Sequence, residues 1–260
     1  MYLIPRVILR DKTEYDDGMV SDGHPLIDAY LKAEWANEHL NSLKAALGGF
    51  INSKPCTVSV EHDTERKLRR YSAVLKQPNV SIYLIAGDVF QCLRTALDQA
   101  VWGLAAINFP DPDWTQFPIL GEDNTETEKT FLRYTRGIPD EAVAVIKSLQ
   151  PYSRDQGEPV SANSLWQLHE INRIDKHRRI SVRATATYLT HHRLATVTAV
   201  NNSYEVAVPF NAEPALEPEF TPFIVFGDRA AGISIPIDGV ERIYNIVRNF
   251  ILPKLAGCIE

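Results

Sequence analysis

The chain has 260 residues, 45% of them hydrophobic and 23% charged, which is enough to bury a sizeable core without disulfide or metal staples. A formal net charge of -6 argues against a protein that coats nucleic acid through its overall field, so any basic surface has to be local. Cys56, Cys92 and Cys258 are too scattered for a disulfide framework or a C-x-x-C knuckle. With no signal-like N-terminus and no apolar run near the ~18 residues of a spanning helix, the expectation is a cytoplasmic protein without a membrane.

In chain order, "PLIDAYLKAEWANEHLNSLKAALGGF" (25–50) opens with proline, carries apolar residues at helical spacing and meets a Gly48-Gly49 pair, which predicts a long helix ending there. "CTVSVEHD" and "KLRRYSAVLK" then alternate around a polar turn, the pattern of a β-hairpin near 56–76. A second long helix is expected between Pro78 and the Phe109-Pro110 break. Its apolar face holds Ile82, Ala86, Val89, Leu93, Ala96, Leu97, Ala100 and Leu104, with Gln91, Arg94 and Asp98 opposite. Leu84 and Trp102 share that opposite side, so it is either solvated or covered by another element; a covered Arg-Asp pair would have to satisfy itself.

Two shorter helical patterns follow near 127–136 and 139–149, then a helix from about Ser161 with Leu165, Leu168, Ile171 and Ile174 on one face. Beyond Ile180 the period changes to two, giving five strands in an antiparallel sheet over about 180–236, and "GVERIYNIVRNFILPKL" closes the chain as an amphipathic helix over about 238–255. The expectation is one α+β domain: a helical bundle over about 25–178, including the hairpin, packed with a C-terminal antiparallel sheet and a closing helix.

The chain has no G-x-x-x-x-G-K-[ST], G-x-G-x-x-G or G-x-S-x-G, so nucleotide-loop and hydrolase-elbow chemistry has no anchor and no cofactor is implied. "HEINR" begins like a zinc-protease helix, but Arg173 stands where the second histidine belongs. Asp98, His169, Glu170 and Asp175 are the remaining metal-ligand types, and their spacing does not call for a metal. "EINRIDKHRRI" (170–180) concentrates positive charge at a helix C-terminus, where Lys176, His177 and Arg179 would complement the dipole. Asp175, seven residues past Leu168, falls on the apolar face and requires a partner, with Arg178 nearest in sequence and Arg94 a candidate in space. His191, His192 and Arg193 read as a surface turn.

The elements "GDVFQCLRTALD" (87–98) and "IDKHR" (174–178), with "FPIL" and "LQPY" between them, resemble a bacterial family of uncharacterised proteins. In it a G-D-x-x-x-x-L-R-x-A-L-D helix precedes one ending in D-K-H-R. A second resemblance is to HEPN-type helical ribonucleases, whose pattern is an arginine followed by a histidine on one bundle helix. Arg94 matches the arginine, whereas Gln99 stands at the R-x4-H histidine position. That resemblance implies a metal-independent ribonuclease in which Arg94 binds the scissile phosphate and His177 substitutes in space as the acid/base.

Two functions are therefore carried forward. In the first, Arg94, Asp98, Asp175, Lys176, His177 and Arg178 form a polar cluster between two helices that organises the fold or holds an anionic ligand. In the second, Arg94 and His177 cleave RNA bound at the basic patch. A protein partner docked on the basic edge and a homo-oligomer remain open.

Overall fold

The computed structural model describes residues 23–153, 159–177, 180–189, 196–200, 203–210, 219–228 and 232–259. Two long helices, α1 (Ile27–Asn52) and α2 (Val80–Ala106), form its centre, linked by the hairpin β1 (Cys56–Asp63) and β2 (Leu68–Leu75). Then come α3 (Thr125–Tyr134), α4 (Asp140–Ser148), α5 (Ser164–His177) and the strands β3 (Ser181–Leu189), β4 (Thr196–Val200), β5 (Ser203–Pro209), β6 (Glu219–Asp228) and β7 (Ile233–Pro236). The helices α6 (Ile237–Asn245) and α7 (Leu252–Ala256) end the chain, joined by a π-helical turn over Ile246–Ile251. The fold is α+β.

Local chemistry explains most boundaries. Asn79 caps α2 by accepting from the Ser81 N–H; Asn124 and Thr127 cap α3 reciprocally; and Asn163 caps α5 by accepting from the Leu165 and Trp166 N–H groups. The expected stop of α1 at Gly48-Gly49 is not observed. The helix runs on to Asn52, and the chain leaves it through Lys54 at φ +51°. Those glycines cost helix propensity without breaking the ladder. In the closing helix, Pro253 lacks the N–H that an α-turn needs, and the π-helical turn lies immediately before α7, which begins around this proline.

All eight apolar-face residues read from α2 are buried, and with Leu26, Ala33, Ala36 and Leu40 of the first helical segment they begin a core that extends through α5, β6, β7 and the closing helix. By length and composition α2 could cross a membrane, yet 56% of its most apolar window is buried among the other elements, as in a core helix.

The five C-terminal strands exist, but they do not form one sheet. β4 and β5 join the hairpin in a four-stranded antiparallel sheet of order β1-β2-β5-β4, while β3, β6 and β7 form a three-stranded sheet of order β3-β6-β7. The β2–β5 register, from Leu68↔Pro209 to Val74↔Ser203, links segments about 130 residues apart. Periodicity reports which residues are extended and carries no information on such a partner.

Candidate functional site

The side of α2 opposite its apolar stripe is covered at its middle and open at its ends: Arg94 is 3% exposed, whereas Leu84 and Trp102 reach solvent. The cover is the extended segment Phe117–Leu120, the "FPIL" motif. Arg94 Nη2 donates to Asp98 Oδ1 at 2.8 Å and to the Phe117 carbonyl at 2.7 Å, while the Phe117 N–H donates to the same Asp98 oxygen at 2.9 Å. The i, i+4 pair thus takes both backbone groups of one residue, much as a neighbouring strand would. Gln150, in "LQPY", takes one backbone group from each of two residues further on, donating to the Pro118 carbonyl at 2.9 Å and accepting the Leu120 N–H at 3.0 Å. Side chains satisfy backbone groups of this buried segment, which pairs with no strand among the described residues.

Beside the clasp runs α5. Gly87 lets it approach α2, since a Cβ there would lie 2.8 Å from Asp175 Oδ2. At the start of α5, Trp166 packs over Gly121, where a Cβ would come within 2.9 Å of the indole, and its ring stands 5.8 Å from that of His169. His169 lies in the field of Arg94. Burial pushes its imidazole below the ordinary histidine value, and the Arg94 guanidinium pushes it further the same way; Glu170 opposes this, and Arg173 and Lys176 add to it. Glu170 also pairs with Arg173 at 2.6 Å.

Burial raises the Asp98 carboxyl above the usual aspartate range, against the opposing pull of Arg94, the Phe117 N–H and Lys176. Burial likewise lowers Arg94, with Asp98 opposing. Arg94 Nη1 is buried without a hydrogen-bond acceptor among the described residues.

No protein-family model, curated protein or solved structure matches this chain.

Of the residues singled out from sequence, Arg94 and Asp98 are in direct contact, and Lys176 adds its charge to theirs. Asp175 is half-buried at Gly87, and its carboxyl is raised by burial and then by the charge of Asp88, so among the described residues Arg94 pairs with Asp98 and not with Asp175. His177 is exposed at the end of α5, eight residues or about 12 Å beyond His169 along the helix. Arg178 lies outside the described residues, as do Arg179, His191, His192 and Arg193. Asp98, His169, Glu170 and Asp175 do not assemble as metal ligands: among the described residues no three His, Cys, Asp or Glu side chains gather for an ion.

The histidine beside Arg94 is therefore His169. Sequence reasoning weighed it only as a metal ligand. The available signal was its seven-residue spacing to Lys176, which superposes the two on the helix wheel, with Trp166 one turn before.

Proposed function

We propose that the protein binds an anionic ligand where His169 and Lys176 of α5, with Trp166 beside His169, adjoin the Arg94–Asp98 pair of α2. The observation that carries this reading is Arg94 itself. Its Nη2 is committed to Asp98 and Phe117, its Nη1 is buried without an acceptor among the described residues, and its charge already bears on His169. Arg94, Arg173 and Lys176 all disfavour a second proton on His169. An anion held by Lys176 and His169 at the edge of the pair relieves this surplus positive field around the imidazole, while the buried Arg94 acts on it through its charge and not by direct contact.

Calorimetric titration with inorganic pyrophosphate tests this, with potassium chloride at matched ionic strength as control. Binding is expected to weaken at least several-fold in Lys176→Ala, whose exposed side chain contributes little to the fold. No saturable heat with pyrophosphate, or binding untouched by both Lys176→Ala and His169→Ala, would overturn the reading.

Ribonuclease activity is a second reading, favoured by one observation: α2 and α5 together supply an arginine and a histidine within electrostatic reach. A His169 held below its ordinary pKa is neutral near pH 7 and able to accept a proton. The burial of Arg94 counts against a direct grip on a scissile phosphate. Incubation with varied single-stranded RNAs decides: cleavage lost in His169→Ala but kept in His177→Ala supports the reading, and no cleavage by the wild type sinks it.

A further inference from the structure

β1 is the outermost strand of the four-stranded sheet, and among the described residues no strand pairs with its outer edge. Edge strands are ordinarily blunted by a proline, a charged side chain, a bulge or short length. β1 carries carboxylates only toward one end, at Glu61 and Asp63, and Asp63 is taken up by the Arg66 N–H and Arg70. The strand is eight residues long, holds neither proline nor lysine, and pairs with β2 without a break from Cys56↔Leu75 to Asp63↔Leu68. Both of its ends are fixed: the Lys76 N–H donates to the Pro55 carbonyl, and Asp63 accepts from the Arg66 N–H and pairs with Arg70. On one face Val58 and Val60 are 47% and 45% exposed, although their neighbours on β2, Ala73 and Tyr71, are buried, as is Val206 opposite Tyr71 on β5. The apolar face of the sheet thus runs from buried positions on β5 and β2 out to exposed valines on its edge strand.

We propose that β1 pairs antiparallel with β1 of a second copy of this chain, joining two four-stranded sheets into one. The strand's own sequence identifies the occupant. Directly opposed residues in a sheet share a face, so a two-fold axis relating two copies has to fall on a residue. Placed on Ser59, the axis sets Val58 of each copy against Val60 of the other, Thr57 against Glu61, and Cys56 against His62. All four valines then meet valines, and each glutamate faces a threonine. Placed on Val60, the axis leaves Val58 against a histidine; placed on Glu61, it sets carboxylate on carboxylate. Placed on Val58, it sets Val60 against Cys56 but leaves Glu61, His62 and Asp63 beyond the partner strand, so the Ser59 register is the one that sets valine on valine over the greater length, Cys56 to His62.

Sedimentation equilibrium of the full chain from micromolar to submillimolar concentration is expected to show a dimer that dissociates on dilution. Val58→Lys and Val60→Lys should each raise the dissociation constant by roughly tenfold or more. Their thermal melts should match wild type at concentrations where both are monomeric, because the two side chains are exposed in the single copy. Ser59→Cys is expected to give a cross-linked dimer under mild oxidation, above the background of the native cysteines, whereas Thr57→Cys is not, since its opposite residue is Glu61. A wild type that stays monomeric overturns the proposal. So does a dimer indifferent to Val60→Lys, or one in which Ser59→Cys fails to cross-link.

Discussion

Arg94 holds Phe117 by its backbone: the guanidinium donates to the Phe117 carbonyl at 2.7 Å, and the carboxylate of Asp98 takes the Phe117 N–H onto the oxygen that Arg94 also binds. Removing Arg94 strands the carboxylate and the carbonyl together. Arg94→Ala is expected to cost about 3 kcal/mol, the lower end for breaking a buried pair because Asp98 retains 34% side-chain exposure. Arg94→Lys should recover only part of this, since a single Nη2 serves both acceptors and the lysine nitrogen ends one bond short of that position on a more flexible stem. Urea denaturation of the three proteins measures both values, and an Arg94→Ala variant as stable as wild type would remove the clasp from any account of the fold.

Gln150 is the second fastening of the same strap, and its amide also donates to the Ile146 carbonyl at 3.0 Å. Gln150→Ala leaves the Pro118 carbonyl and the Leu120 N–H without their partner, for an expected loss of about 2 kcal/mol. Because the strap detaches only once, Arg94→Ala and Gln150→Ala together should cost less than the sum of the two. A double-mutant cycle reads that coupling directly, and strict additivity would mean the two fastenings hold independent segments.

Gly87 and Asp175 form the contact that brings α5 against α2. Alanine is favoured over glycine within a helix by about 1 kcal/mol, so Gly87→Ala by propensity alone should stabilise. Here the new Cβ meets a carboxylate at 2.8 Å, and the helices must shift or Asp175 must turn. The expectation is therefore epistasis: Gly87→Ala destabilises the wild type and is neutral or stabilising in an Asp175→Ala background. Four melting curves test it, and equal effects in both backgrounds would exclude the close approach.

The elements were legible because burial imposes a period; the side of α2 that carries Arg94 was legible as either solvated or covered, from Leu84 and Trp102 sharing it, and what covers it was not. The helical wheel placed Ile82 through Leu104 of α2 correctly, since every one of those positions faces the same core. It also set Arg94 opposite that core, which is true of the helix and false of the molecule, because Phe117 arrives from a loop that has no period. "FPIL" and "LQPY" stood in the sequence as motifs without a stated purpose, and their purpose is reciprocal hydrogen bonding that only three dimensions display. Asp175 reads from the sequence as an acid on an apolar face in need of a cation or several donors. It is half-buried against a glycine, and the absence of a Cβ at Gly87 makes the room that a partner was expected to provide. The division of the strands into two sheets escaped for a related reason: pairing over long chain separations is set by where the helices put the strand ends.

His169 gives the site a pH signature. An imidazole in the unfolded chain titrates near 6.5, and in the fold burial and Arg94 hold it lower. Between those two values the unfolded chain binds a proton that the folded chain releases, so acid favours unfolding. The contribution is fully present above about pH 6.5 and is lost as the pH falls toward the folded value. Asp98 and Asp175 act with the opposite sign and lower down, since their raised carboxyls make stability fall as the pH rises just above the ordinary value of 3.8. His169 thus contributes to the slope just below pH 6.5, and His169→Gln is expected to flatten it. Pyrophosphate bound beside His169 would favour the imidazolium and raise its pKa, so saturating ligand should flatten the wild-type slope in the same window and leave that of His169→Gln unchanged. Stability measured by urea titration across that window, with and without pyrophosphate, checks both statements. A ligand-induced change of slope as large in His169→Gln as in the wild type would mean that the anion does not act on this imidazole.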